Sequence, residues 1–150
     1  MRRQRKIAGV RNLNKKFRIN EALVGRLADK IAGILKRAPS EIEIVFLSDR
    51  AIRSVNKRFK GRDRATDVLS FDLDGTVEIL ISSDTALKNS RVFGVSCGEE
   101  LIRYVVHGML HVSGYDDRTV SQKRRMFRKE GDILKILCAK TELSKVLTRP

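Results

Sequence analysis

The chain has 150 residues, of which 41% are hydrophobic and 33% are charged, and these proportions suit one soluble globular domain spanning 1–150. No apolar run approaches the roughly 20 residues that a membrane span needs. The basic first segment, 1–20, also lacks the apolar core of a secretory signal. Lysine and arginine number 32 against 18 acidic residues, a net charge of +14, so we expect a polyanionic partner, above all a nucleic acid. An acidic membrane surface is the weaker alternative, and a generally basic proteome or a thermophilic source would also produce this charge.

Four elements are predicted before residue 83. Asn20 is suited to cap a helix that ends before Pro39, and the apolar positions of this helix share one face: Leu23, Leu27, Ile31, Ile34 and Leu35. Alternation over 41–47 predicts a strand. Ser48 then caps a second helix, whose inward residues we expect to be Ile52, Val55 and Phe59. The segment 67–82 predicts a hairpin, because two β-rich runs are joined by the favoured turn Asp74-Gly75.

Three helices are predicted after the hairpin. A short helix over 82–93 ends at Gly94. The next, over 97–113, begins with a capping-box pattern and ends at Gly114, and apolar residues nearly encircle it, which predicts a central, buried helix. The last helix opens with the pair Thr119 and Gln122, and its inward residues are predicted to be Met126, Ile133, Leu134 and Leu137. Together these patterns predict an α+β fold, in which a small mixed β-sheet is covered by helices.

The two cysteines, Cys97 and Cys138, have neither metal-like nor redox-like spacing. We expect two buried or half-buried free thiols in a protein of the reducing cytoplasm.

Both histidines of the chain, His107 and His111, fall on the predicted central helix. Residues four apart lie on one helix face, so the two imidazoles can bind one metal ion from adjacent turns. The alternative is two core histidines whose hydrogen bonds are satisfied. This alternative is disfavoured, because buried polar groups need partners and the predicted helix is otherwise apolar. A catalytic site of this kind takes a third protein ligand. Gly114 lets the chain turn back, which makes Asp116 and Asp117 the candidates, unless both are merely acids of a polar turn.

Two segments, NKRFKGRDRATDVLSF (56–71) and HGMLHVSGYDD (107–117), resemble the signatures of the YbeY family of bacterial endoribonucleases and ribosomal-RNA maturation factors. The resemblance covers about 56–134 and implies that His107 and His111 bind one Zn²⁺ per chain. The family's third histidine falls at position 117. Because carboxylates also bind zinc, we expect Asp117 to be the third ligand, with Asp116 in reserve.

A second departure from the family pattern occurs at Lys60, where the family usually has an arginine that is thought to engage phosphate. Lysine keeps the positive charge but lacks the bidentate guanidinium group, so Arg62 or Arg64 is expected to assist. A solvated basic loop is the alternative for all three residues. Phe59 and Tyr115 have faces on which RNA bases can stack, but packing roles are the expectation for both.

The resemblance implies a zinc-dependent endoribonuclease of single-stranded RNA that acts in 3′-end maturation of small-subunit ribosomal RNA and in ribosome quality control. Zinc lowers the pKa of its bound water to about 7, while Lys60 and Arg62 would orient the phosphate. The general base stays open between that water, Asp116 and the 2′-hydroxyl of the RNA. Expected partners are ribosomal RNA and the small ribosomal subunit, with no membrane and no small-molecule cofactor.

Two other functions stay open. The first is a zinc hydrolase of another bond, such as a peptide. Zinc proteases of the H-E-x-x-H type have a glutamate directly after the first histidine, and Gly108 in that position disfavours this function. The second is a non-catalytic ribosome-assembly factor with a structural metal, which a closed four-coordinate site would favour.

Overall fold

The computed structural model describes residues 8–148. Residues 1–7 and 149–150 lie outside the described residues, so the predictions of one domain over 1–150 and of no signal sequence extend partly beyond them. A short 3₁₀ helix occupies Leu143–Val146, and the other elements follow in chain order: β1 (Ala8–Asn12), β2 (Arg18–Ile19), α1 (Glu21–Ile34), β3 (Glu41–Leu47), α2 (Asp49–Lys60), β4 (Val68–Leu73), β5 (Thr76–Ser82), α3 (Ser83–Phe93), α4 (Cys97–Val112), α5 (Val120–Cys138) and β6 (Leu147–Thr148).

The main sheet has the strand order β1-β3-β5-β4. β3 pairs in parallel with β1 and β5, and β4 pairs antiparallel with β5. A second, two-stranded sheet joins β2 to β6. The predicted α+β class, with a small mixed sheet covered by helices and the two histidines on a central helix, is confirmed.

The two faces of the main sheet are covered unequally. Successive strand residues point to opposite faces, so β3 sends Ile42, Ile44 and Phe46 into the larger core, where they meet apolar residues of α1, α4 and α5. Val45 of β3 faces the other way and packs with Leu80 of β5 and Ile52 of α2. Helix α4 therefore lies inside the larger layer, between the sheet and α5.

The predicted helix starts are confirmed at atomic detail. Asn20, Ser48 and Ser96 each accept a hydrogen bond from a backbone N–H in the first turn of the following helix. At the start of α5, the side chains of Thr119 and Gln122 form a reciprocal capping box. These bonds satisfy N–H groups that have no partner within the helix itself.

Helix α4 approaches the sheet closely at Gly108. A Cβ atom at that position would lie 2.7 Å from Cγ2 of Ile79 and 3.3 Å from Cγ1 of Val68. Near its start, the helix comes equally close to the 3₁₀ helix, because a Cβ at Gly98 would overlap the carbonyl oxygen of Leu143. Two glycines thus let α4 pack against elements on different sides.

The structure differs from the sequence-based expectations in three respects. First, strands β1, β2 and β6 and the 3₁₀ helix were not predicted; Ala8–Asn12 contains one β-branched residue, Val10, and is a strand because it pairs with β3. Phe59 is 62% exposed rather than inward. Helix α2 buries Ile52, as predicted, together with Asn56, and Val55 is partly buried. The ring of Phe59 makes an edge contact with Phe71 of the outer strand β4.

The third difference concerns the thiols. Cys138 ends α5 and is exposed, whereas Cys97 is half-buried as expected. Burial, aided by the charge of Glu100, raises the pKa of Cys97 to about 11, so this thiol stays protonated at neutral pH and is a poor nucleophile.

Among the helices within 8–148, none has the length and hydrophobicity that crossing a membrane requires.

We expect opposite effects on stability from two glycine substitutions in helices. Gly98→Ala should lower the free energy of unfolding by about 1–3 kcal/mol, because the new methyl group overlaps the backbone at Leu143. Gly131→Ala in α5 meets no atom within 4 Å and should raise it by about 0.4–1 kcal/mol. Urea unfolding of both variants measures these shifts, and equal stabilities would contradict the close packing of α4 on the 3₁₀ helix.

Candidate metal centre

The two histidines meet on one side of α4. They lie on adjacent turns, and their Nε2 atoms are 3.1 Å apart. Each side chain is 29% exposed, so both rings are held by the core but reach solvent on one side. The predicted convergence of the two imidazoles is therefore present in the structure.

The chain reverses directly after α4. Ser113 is the C-cap residue, and Gly114 has φ +100°, a conformation that side chains other than that of glycine rarely allow. The N–H groups of Gly114 and Tyr115 donate to the carbonyls of His111 and Leu110, at 3.2 and 3.0 Å. The helix end and its turn thus set the direction in which the chain leaves α4.

This turn brings Asp117 back to the histidines. Its Oδ2 atom lies 3.4 Å from Nε2 of His111 and 4.0 Å from Nε2 of His107. One ligand atom from each of the three residues lies within 4.8 Å of the others. Asp117 is the most exposed of the three, with 43% of its side chain accessible.

The spacing of these three donors suits one metal ion. Bonds of about 2.0–2.1 Å to a tetrahedral ion place neighbouring ligand atoms about 3.3 Å apart, and the observed separations are 3.1, 3.4 and 4.0 Å. Two imidazole nitrogens and one carboxylate oxygen are also a donor set that zinc accepts at catalytic sites. The residues present therefore fit zinc, the metal that the family resemblance implies.

Glu130 of α5 contacts the ring nitrogen of His107 that does not face the cluster. Its Oε1 atom accepts a hydrogen bond from Nδ1 of His107, which leaves the lone pair of Nε2 free to face the cluster. Burial lowers the pKa of His107, but the hydrogen bond and the charge of Glu130, with contributions from Asp67 and Asp117, raise it above the usual value. The neighbouring carboxylates thus favour the positively charged form of the His107 imidazole.

Sequence reasoning missed Glu130, although the sequence carried a signal. The buried residues of α5 include Met126, Ile133, Leu134 and Leu137, and Glu130 stands within the same stripe. Its side chain is only 9% exposed. A carboxylate on an otherwise apolar helix face requires a buried partner, and a buried histidine pair was the available one.

The cluster opens into a groove of about 1160 Å³. Both predicted phosphate-binding residues, Lys60 and Arg62, line the same groove as His107, His111 and Asp117. Its other basic residues, which sequence reasoning did not select for this role, are Arg37 and Arg118. Strand β4, the outer strand of the sheet, forms part of the wall.

Two further predicted residues lie elsewhere. Asp116 lines a neighbouring pocket together with Tyr115 and Arg125, not the groove of the histidines. Arg64 does not line the groove, and its carbonyl accepts a hydrogen bond from the amide of Asn56. A catalytic role for Asp116 and an assisting role for Arg64 stay predictions.

Comparison with known protein families gives a match over nearly all of the described chain. The family model described as "Endoribonuclease YbeY" matches residues 9–138 of the sequence. The chain belongs to the endoribonuclease YbeY family. Membership confirms the resemblance drawn from 56–71 and 107–117.

Curated members of the YbeY family align with this chain over different lengths. Endoribonuclease YbeY from an Anaeromyxobacter species is 43% identical over 106 residues, which cover 66% of this chain and 55% of that protein. Endoribonuclease YbeY from Geobacter sulfurreducens is 33% identical over 140 residues, which cover 85% of this chain and 93% of that protein. The chain thus spans about half the length of the Anaeromyxobacter relative and most of the Geobacter one.

A solved structure has a similar fold. The solution structure of TM1509 from Thermotoga maritima aligns with a TM-score of 0.64 at 25% sequence identity. The alignment covers 88% of this chain and 91% of that one. This similarity extends beyond the two signature segments to the arrangement of sheet and helices.

Neutralising the third ligand should remove the metal. We expect Asp117→Asn to lose far more bound metal than Asp116→Asn, because a neutral amide is a poor zinc ligand and Asp116 faces the other pocket. Asp117→His should retain metal, since it restores the set that the family pattern contains. Elemental analysis of gently purified proteins measures this, and metal lost only from Asp116→Asn would move the ligand one residue earlier.

Removing the buried carboxylate should weaken metal binding without removing any ligand. Glu130→Gln keeps the size of the side chain but supports the imidazole of His107 less well, so we expect about 10–100-fold weaker binding. The matched control is Asp132→Asn, which removes an exposed acid of the same helix. Competition with a chromophoric chelator measures both affinities, and equal weakening would show a general charge effect instead.

Proposed function

We propose that this chain is a zinc-dependent endoribonuclease that cleaves single-stranded RNA. One observation carries the proposal: the donors of His107, His111 and Asp117 converge on the wall of a groove that Lys60 and Arg62 also line. A metal-ligand cluster beside exposed cations is an arrangement that phosphodiester hydrolysis uses. The net charge of +14 favours the same substrate class.

Each side chain has a separate task in this proposal. Glu130 holds the ring of His107, and His111 and Asp117 complete the ligand set. When bound, zinc supplies a Lewis acid that polarises a phosphoryl oxygen and lowers the pKa of water to about 7. Lys60, whose Nζ atom lies 5.3 Å above the ring of Phe71, and Arg62 hold the phosphate and offset its developing negative charge.

The ends of the product reveal which group attacks the phosphate. Attack by the 2′-hydroxyl leaves a 2′,3′-cyclic phosphate, whereas attack by water leaves ordinary phosphate and hydroxyl ends. Both routes need a proton acceptor, because the 2′-hydroxyl and the water each lose a proton as they attack the phosphorus. Asp116 is the sequence-based candidate among the chain's residues, and it lines the neighbouring pocket.

Cleavage of a peptide bond is less well supported. The glutamate that follows the first histidine in H-E-x-x-H proteases has no room here, because even a Cβ at Gly108 would lie 2.7 Å from Ile79. A purely structural metal is also disfavoured, since the three ligands are 29–43% exposed beside a large groove. Structural zinc sites are usually closed by four protein ligands.

The finer part of the proposal concerns the biological substrate. We infer that the RNA is ribosomal, that the chain acts on the 3′ end of small-subunit ribosomal RNA and in ribosome quality control, and that it does so in the cytoplasm with the small subunit as partner. This part is supported by family membership alone. The geometry of the groove supports the coarser proposal of RNA cleavage.

The test is cleavage of end-labelled single-stranded RNA, its duplex and single-stranded DNA of the same sequence by the zinc-loaded protein. We expect cleavage of single-stranded RNA only, and a loss of at least about 100-fold in kcat/KM for His107→Ala, because metal-ion catalysis supplies several kcal/mol. Intact RNA with the folded wild-type protein would reject the proposal. Cleavage of a casein substrate instead would support the peptide alternative.

A matched pair of variants controls for loss of charge. Lys60→Ala with Arg62→Ala removes two cations of the groove, and Lys123→Ala with Arg124→Ala removes two exposed cations outside it. We expect only the first pair to reduce kcat. Equal rates in the two pairs would place the phosphate contacts elsewhere.

A further inference from the structure

A second pocket, of about 580 Å³, lies beside the groove. Its walls come from the segment after α1, from the turn after α4 and from one face of α5. The volume lies within the range of about 300–1,000 Å³ that is typical of ligand sites. The metal ligands take no part in this pocket, and the function proposed above leaves it unassigned.

The second pocket is strongly basic. Four cations line it, Lys36 and Arg37 from the segment after α1 and Arg125 and Lys129 from α5. Its acidic member, Asp116, is half-exposed, and an oxygen of this side chain lies 3.9 Å from Nε of Arg118. The excess of positive charge predicts an anionic ligand, and two of the cations are arginines, whose planar donors match the oxygens of a phosphate.

Ser113, one of the residues that line the pocket, has a hydroxyl group that is unpaired within the described part of the chain. The hydroxyl of Ser113 is buried and has no hydrogen-bond partner among residues 8–148. Leaving such a group unpaired costs about 1–3 kcal/mol. A ligand oxygen is one partner that would remove this cost.

Tyr115 gives the pocket an apolar side. Its ring lies 5.5 Å below the guanidinium carbon of Arg125, and the stack forms a flat cationic surface. Nucleic-acid bases stack on surfaces of this kind. A nucleotide unit therefore matches the pocket better than a compact inorganic anion does.

The second pocket adjoins the groove. Arg37 lines both cavities, and the turn at 113–117 separates them, with Asp116 on one side and Asp117 on the other. A single strand lying across the metal cluster can therefore continue past Arg37 into the second pocket. We propose that this pocket is a subsite for a nucleotide of the same RNA strand, with Arg125 and Lys129 bound to its phosphate; this assignment rests on the proposed function.

The test compares two variants with the same loss of charge on the same helix. The pocket pair, Arg125→Ala with Lys129→Ala, removes two basic side chains that line the second pocket. The control pair, Arg124→Ala with Arg128→Ala, removes two exposed arginines outside it. The probe is fluorescein-labelled single-stranded DNA, which carries the phosphates but lacks the 2′-hydroxyl. Binding to the zinc-loaded protein is followed by anisotropy over a range of salt concentrations.

We expect the pocket pair alone to lose affinity. Its plot of log K against log salt should become less steep by about 0.7, the change expected when one phosphate contact to a single strand is lost. With RNA as substrate, the pocket pair should raise KM for long strands and leave kcat unchanged. Equal losses in the two pairs, or a lowered kcat or metal content in the pocket pair, would overturn the subsite.

Failure of the subsite and failure of the proposed function give different results. If the wild-type protein cleaves RNA and the two double variants lose the same DNA affinity, the proposed function stands and the subsite is rejected. If the wild-type protein cleaves no RNA but only the pocket pair loses DNA affinity, the proposed function is rejected and the second pocket is still a nucleic-acid binding site.

Discussion

Helix α4 has to meet two opposed requirements, and the rest of the molecule is arranged around them. It is the most buried helix of the larger core, with Leu101, Ile102 and Val105 fully enclosed, yet it carries both histidines. Burying an imidazole without a partner costs free energy. The structure meets both requirements, because Glu130 of α5 hydrogen-bonds to His107 and both histidines line the groove.

The carboxylates around the cluster have an electrostatic consequence. Glu130 and Asp117 both lie beside the histidines, and their formal charges together balance a divalent cation. The positive potential of the groove then comes from its lysine and arginine side chains rather than from the ion. A cluster with a third histidine in place of Asp117 would leave more positive charge at the ion, and its bound water would be more acidic.

Local signals in the sequence were sufficient for most of the elements. Caps at Asn20, Ser48, Ser96 and Thr119 act within a single turn, and the spacing of His107 and His111 has a meaning that any helix preserves. Strand β1 depends instead on a distant partner, since its five residues have little strand preference and are ordered by β3. Such pairing has no signature in the segment itself.

The candidate site shows the same division. The histidine pair was predictable because a helix period is local. The glycine turn made Asp116 and Asp117 the candidates for a third ligand, and the choice of Asp117 came from the family resemblance. The prediction that Phe59 faces inward was wrong. Apolar spacing along a helix shows which face is apolar, but it does not show whether another element covers the last turn of α2. The second pocket joins α1, α4 and α5, and the meeting of three distant segments leaves no pattern along the chain.

The turn between His111 and Asp117 also bears on how the chain tolerates changes of length. Loops usually absorb insertions and deletions more readily than helices or strands do. Here one added or missing residue would alter the path by which Asp117 returns to the imidazoles, and it would move Asp116 and Tyr115 out of the second pocket. The connection between Gly94 and Val95, which lines neither cavity and precedes the cap residue Ser96, is the better place to splice in a peptide tag or an optical reporter.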